Sequence, residues 1–177
     1  MLAPIRSILF ATNLTEECYP ALQAAVSLAT QNHATLILLH VIVADTPEYI
    51  ENELESVVGK TKWEEIKKEH QKDVEQTLTG KMSSGGLGKK AMQQYCTDAG
   101  IDMDSCSFDW RHLIIANKIR SEAIIDQAHE LSCDLIVMGA GKAFLGGNAV
   151  GSTIKSVLRR TKLPVFIVPH SAEKDLK

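Results

Sequence analysis

Long apolar runs are missing from this 177-residue chain: none reaches the eighteen or so residues that a bilayer-spanning helix needs, so no membrane partner is expected. Cysteine is sparse. The four thiols, Cys18, Cys96, Cys106 and Cys133, include no CxxC pair and no dense framework of the kind that staples small secreted domains, which points to a reducing compartment. An excess of basic charge is also absent, with 19 basic against 22 acidic residues and a net charge of -3, so no nucleic-acid partner is expected. Aromatics make up only 5%, and Trp63 and Trp110 read as packing residues rather than a base-stacking platform. After Arg6 the apolar stretch Ile8 to Ala11 is too short for the core of a signal peptide, and a cytoplasmic location is the expectation. The histidines His33, His70, His112, His129 and His170 form no metal-ligand spacing with the cysteines, so no protein metal site and no catalytic residue is assigned.

What remains is rich in core-forming residues: 45% of the chain is hydrophobic, enough for one domain over residues 1–177. Ile8 to Ala11 is apolar on both faces and reads as a buried strand. Asn13 and Glu16 have capping-box spacing ahead of a helix over Glu16 to Gln31, whose inner face is Ala21, Leu22, Ala25, Val26, Leu28 and Ala29. Thr35 to Val43 is a second buried strand, and its His40 reads as a hydrogen-bonded core residue before a catalytic base. From about 45 to 97 the texture shifts to an inserted helical or flexible segment, in which Trp63, Ile66, His70, Val74 and Leu78 mark one side of a charged helix. A glycine-serine stretch from Gly80 to Gly88 follows, and a helix restarts near Leu87. A weaker strand is expected within Ile101 to Phe108, with Trp110 to Asn117 extending it or turning. Glu122 to Leu131 (helix), Asp134 to Gly139 (strand), Thr153 to Thr161 (helix) and Pro164 to Val168 (strand) complete an open α/β sheet of parallel strands with right-handed crossovers.

The chemistry concentrates between Gly139 and Ser152. This glycine-rich loop leaves a buried strand and enters a helix, where backbone amides can approach a phosphate and the free N–H groups of the first helical turn favour an anion. Gly151 permits close approach, while Ser152 and Thr153 offer hydroxyls. A plain glycine turn before a capped helix fits the same spacing. Lys142 lacks the Walker spacing, and the glycines do not form a dinucleotide fingerprint. Gly85 to Lys90 is similarly rich in glycine and lysine but has no strand ahead of it. Asp45 and Glu48, just past the second strand, read as solvated loop residues, and Cys18 as an inert thiol.

Taken in order, ILFATN, LILLHV, AIIDQAHELSCDLIVMG, the long loop ending in Gly151-Ser152, and PVFIVP resemble the universal stress protein family over most of the chain. The resemblance implies a Rossmann-like, open five-stranded parallel sheet, an adenine nucleotide (ATP or AMP) as ligand, and a homodimer formed through residues 164–168. It also implies that Gly139, Gly141, Gly151 and Ser152, with the adjoining Thr153, hold ribose and phosphates, that Val41 contacts the base, and that Asn13 stands where the family usually has aspartate. One residue, Ala140, separates Gly139 from Gly141, where the family has two. Mg²⁺ would be held through the nucleotide phosphates. The expected function is that of a stress-response or signalling protein acting through nucleotide occupancy, with at most slow ATP hydrolysis. The competing expectation is an interaction protein of the same fold that binds no nucleotide and uses the 45–97 segment toward an unknown protein partner.

Overall fold

The computed structural model describes residues 4–43, 47–69, 72, 86–116, 118–141 and 150–170. Five parallel strands form one sheet: β1 (Ser7–Thr12), β2 (Thr35–Ile42), β3 (Trp110–Ala116), β4 (Leu135–Ala140) and β5 (Val165–Pro169), in the spatial order β3-β2-β1-β4-β5. The helices between them are α1 (Tyr19–Asn32), α2 (Pro47–Val58), α3 (Lys60–Glu69), α4 (Gly86–Asp98), α5 (Arg120–Glu130) and α6 (Ser152–Arg160). This is a Rossmann-like arrangement. The chain builds outward from β1 through β2 to β3, then returns to lay β4 on the other side of β1. Sheets of this kind bind ligands where the winding reverses, beyond the carboxyl ends of the strands.

The strands lack polar alternation because both faces are covered. Ile8, Phe10, Leu36, Leu38 and Ile42 pack on one side with Leu22 and Ala25 of α1. Leu9, Ile37, Leu39 and Ile136 pack on the other with Ile124 and Ala128 of α5 and Val157 of α6. Helix α1 turns a face of small residues to the sheet, with Ala21, Ala25 and Ala29 at most 1% exposed, so its axis comes close to β4. It ends at His33, whose left-handed conformation (φ 51°) lets its N–H reach back to the last carbonyls and releases the chain into β2.

Helices α2 to α4 join the first of these cores. Leu54, Trp63, Ile66, Met92 and Tyr95 are buried in it. The Glu51 carboxylate binds α2 to α3 by accepting from Trp63 Nε1 at 3.2 Å and from Lys67 Nζ at 2.9 Å, and the Lys67 contact, followed by the Trp63 one, holds its carboxyl below the usual range. His40 is a core residue of β2, 1% exposed. Its Nδ1 lies 2.9 Å from the Thr12 carbonyl oxygen and its Nε2 2.8 Å from Glu53 Oε1 of α2. A carbonyl can only accept, so Nδ1 carries the proton of that bond.

The third strand departs from the expectation. Residues 101–108 form no strand: Asp102 accepts a hydrogen bond from Asp104 N at 3.0 Å and turns the chain into a short 3-10 helix over Met103–Ser105. Strand pairing with β2 begins at Leu36 opposite Trp110. The charged helix marked by Trp63 and Ile66 is α3, whereas His70, Val74 and Leu78 lie outside the described residues, as do Asp45 and residues 80–85. The restart near Leu87 is α4, which includes Gly86 and Gly88.

Candidate functional site

A cavity of about 370 Å³ opens at the carboxyl ends of β1, β2 and β4, where the winding of the sheet reverses. Asn13, Val41, Gly139, Gly141, Gly151, Ser152 and Thr153 all line it. They arrive from four places in the sequence. Ala11, Leu39, Val41 and Ile124 form an apolar slot at one end, while Gly139, Gly141 and the start of α6 form a polar end rich in backbone amides.

At the polar end, α6 begins at Gly151 without a side-chain cap among the described residues. The first turn of any helix leaves amides without partners inside the helix, and among the described residues no side-chain cap covers them. Gly151 has an ordinary negative φ of -52°, and a Cβ built on it meets nothing within 4 Å. Its lack of a side chain is therefore not demanded by packing against the described residues. Gly141 is also roomy: its would-be Cβ comes only to ordinary contact distance, 3.4 Å, from Glu17 Oε2. Gly139 is the tight one, pressed on Cys18 and Ala21 by the close approach of α1.

The turn after β1 shapes the wall between these ends. Leu14 is held in the left-handed region at φ 59°, a conformation that costs an L-residue roughly 1–2 kcal/mol and that two hydrogen bonds brace here. Leu14 N donates to Thr12 Oγ1 at 3.0 Å, and Thr15 N to Asn13 Oδ1 at 3.2 Å. Asn13 thus forms a turn of its own instead of the capping box its spacing to Glu16 suggested; the short 3-10 helix over Glu16–Cys18 is entered from Thr15 with no side-chain cap. Burial pushes the Cys18 thiol up, and the neutral S–H donates to Asn13 Oδ1 at 3.1 Å. This thiol is a structural donor. Glu48 is exposed on α2 and does not line the cavity.

The sequence reading missed Arg120. It stands at the start of α5 and is the one charged side chain among the described residues lining the cavity. A second cavity of about 560 Å³ adjoins the first, walled by α2 residues including Asn52, Glu53 and Ser56, and the two share Asn13 and Arg120. The signal available in the sequence was two cationic residues, Lys118 and Arg120, at the junction of β3 and α5, and only the strand order brings Arg120 to the end of β2.

The universal stress protein family pattern matches residues 4–102 and 111–169. The chain belongs to the universal stress protein family. None of the curated proteins matches by sequence. Among solved structures, the hypothetical protein MJ0577 aligns over 96% of this chain and 99% of its own, with 22% identity and a TM-score of 0.59. A universal stress protein in complex with cAMP aligns over 96% of this chain and 100% of its own, with 18% identity and a TM-score of 0.57. The universal stress protein UspA from Lactobacillus plantarum aligns over 94% and 99%, with 23% identity and a TM-score of 0.57. At these identities the likeness is one of fold. It covers the whole domain of each relative.

Proposed function

We propose that this universal stress protein binds one adenine nucleotide, ATP or AMP, in the cavity at the carboxyl ends of β1, β2 and β4, and works by occupancy as a cytoplasmic stress-response or signalling dimer. The observation that carries the reading is the pairing of an apolar slot with the uncapped start of α6 in one cavity of about 370 Å³. A heterocyclic base would occupy the slot between Leu39, Val41 and Ile124. Phosphates would sit on the Gly141 and Gly151–Thr153 amides, where the helix terminus favours negative charge. The solved relative in complex with cAMP is consistent with an adenine base in a site of this fold.

No carboxylate lines the cavity among the described residues, so Mg²⁺ would be held by the phosphates and its own waters. It would supply charge neutralisation there. Among the described residues the lining offers no general base, and any hydrolysis is expected to be slow. The dimer reading rests on β5, an edge strand that follows Pro164 and ends on Pro169, and whose Phe166 is 46% exposed. No helix among the described residues is long and apolar enough to cross a membrane.

Calorimetric titration of nucleotide-stripped protein with ATP and Mg²⁺, and separately with AMP, tests the proposal. Saturation near one nucleotide per chain, weakened in Gly151→Ala, is expected. A folded protein that binds neither would remove the nucleotide reading and leave the partner-binding one.

A further inference from the structure

Asn13 is oriented by its own turn, and the orientation decides which atom it offers a ligand. The backbone N–H of Thr15 can only donate, so the Asn13 atom 3.2 Å from it is the carbonyl oxygen. The Thr15 hydroxyl and the Cys18 thiol approach that same oxygen at 2.7 and 3.1 Å. Three donors from the protein therefore use up the acceptor. What Asn13 has left is the Nδ2 amide with its two N–H groups, and no protein acceptor takes them among the described residues. Asn13 is exposed and borders both cavities.

Arg120 is the other side chain that borders both, and it too is exposed. A guanidinium carries five donors and no acceptor, and no carboxylate pairs with Arg120 among the described residues. Two donor groups thus stand where the apolar slot opens toward the second cavity. A planar base lying in the slot turns an edge to them. On adenine every acceptor at that edge has the exocyclic amino donor beside it, whereas a 6-oxopurine presents O6 and N7 as adjacent acceptors.

We propose that the base end of this cavity reads hydrogen-bond acceptors through Asn13 Nδ2 and Arg120, and that it takes a 6-oxopurine nucleotide at least as tightly as the matching adenine nucleotide. The proposal rests on the nucleotide reading of the cavity and widens the base it admits. Inosine and adenosine monophosphates isolate the question, since they differ only in the position-6 group and the protonation at N1.

Both are titrated into the wild type, Asn13→Asp and Arg120→Leu, with thermal unfolding of each variant as the check on folding. The carboxylate introduced by Asn13→Asp would keep one oxygen for Thr15 N–H and turn a second acceptor outward. The expected result is a wild-type dissociation constant for inosine monophosphate equal to or below that for AMP. Asn13→Asp should shift the ratio toward AMP by about tenfold, the size of one hydrogen bond exchanged for a mismatch. Arg120→Leu should weaken the inosine nucleotide more than AMP. Tighter wild-type binding of AMP, or a ratio that Asn13→Asp leaves unmoved, overturns the base assignment while leaving nucleotide binding intact. Absence of binding by either nucleotide overturns the nucleotide reading itself, and this proposal with it.

Discussion

A side chain on Gly139 would place its Cβ 3.2 Å from the Sγ of Cys18, and 3.4 Å from the Cβ of Ala21. The glycines of the loop accordingly divide by cause. Gly139 is small because α1 presses on β4, while no atom of the described residues requires Gly151 to be small.

Gly139→Ala is expected to lower the unfolding free energy by about 1–3 kcal/mol, since Cys18 must shift and the Cys18 backbone is 3.5 Å away. Gly151→Ala should cost under about 1 kcal/mol, the scale of a residue exchange at a helix cap, while weakening nucleotide binding. Urea unfolding and calorimetry on both variants separate the two effects. Equal stability losses would defeat the division.

The Glu53 link to His40 ties α2 to the end of β2. Glu53→Leu removes the partner of a nitrogen on a residue that is 1% exposed and should cost about 1–3 kcal/mol. Glu53→Gln should cost less, because its amide N–H can donate to His40 Nε2 while Nδ1–H stays on the Thr12 carbonyl. A Leu variant as stable in urea as the wild type would show that the contact carries no net stability.

Burial, reinforced by Cys106, pushes the Cys96 thiol up to about 12, and burial also raises the Tyr95 phenol. The unfolded thiol loses its proton near 9, so between pH 9 and about 12 the folded chain holds more protons than the unfolded one. Stability then falls as pH rises, by about 1.4 kcal/mol per unit for Cys96, and is unaffected by this group below pH 9. Urea midpoints at pH 8 and 10.5 measure the slope, and Cys96→Ala should flatten it. A wild-type midpoint that holds steady across that interval contradicts the account.

Phe166 is 46% exposed, whereas Ile167 packs partly against the core under α5 and α6. Phe166→Glu should leave the fold intact and convert a dimer to monomer in sedimentation velocity. Ile167→Glu should lower stability by about 2–4 kcal/mol, because it places a charge in a half-dry position. A wild type that sediments as a monomer at micromolar concentration removes the dimer from the proposed function.

Much of the fold is visible in local pattern. Runs such as Leu36 to Ile42 and Leu135 to Met138 are apolar on both faces, and that alone signals strands covered by helices on two sides. β3 was harder to see. It is an edge strand, and its first residues, Trp110, Arg111 and His112, are at least partly exposed, so its apolar signal is confined to Leu113–Ala116. The weaker strand expected within 101–108 gives way to a turn that places Met103 and Phe108 in the core. The Asn13 to Glu16 spacing misled for a related reason: a side-chain oxygen that could cap a helix is spent two residues away, on Thr15.

The glycine loop, the seven candidate ligand-facing residues and the family pattern follow from the order of residues, because phosphate-friendly loops and buried strands are local features. Which glycine is forced by packing, which end of the Asn13 amide points outward and the presence of Arg120 beside it do not. The Asn13 amide is turned by donors only two and five residues away, on Thr15 and Cys18, whereas the other two depend on contacts between segments remote in the chain: Gly139 with Cys18, and the start of α5 with the end of β2. Such contacts exist only after the sheet has ordered its strands, and a hydrogen bond's direction is settled by the partner that is close enough to donate.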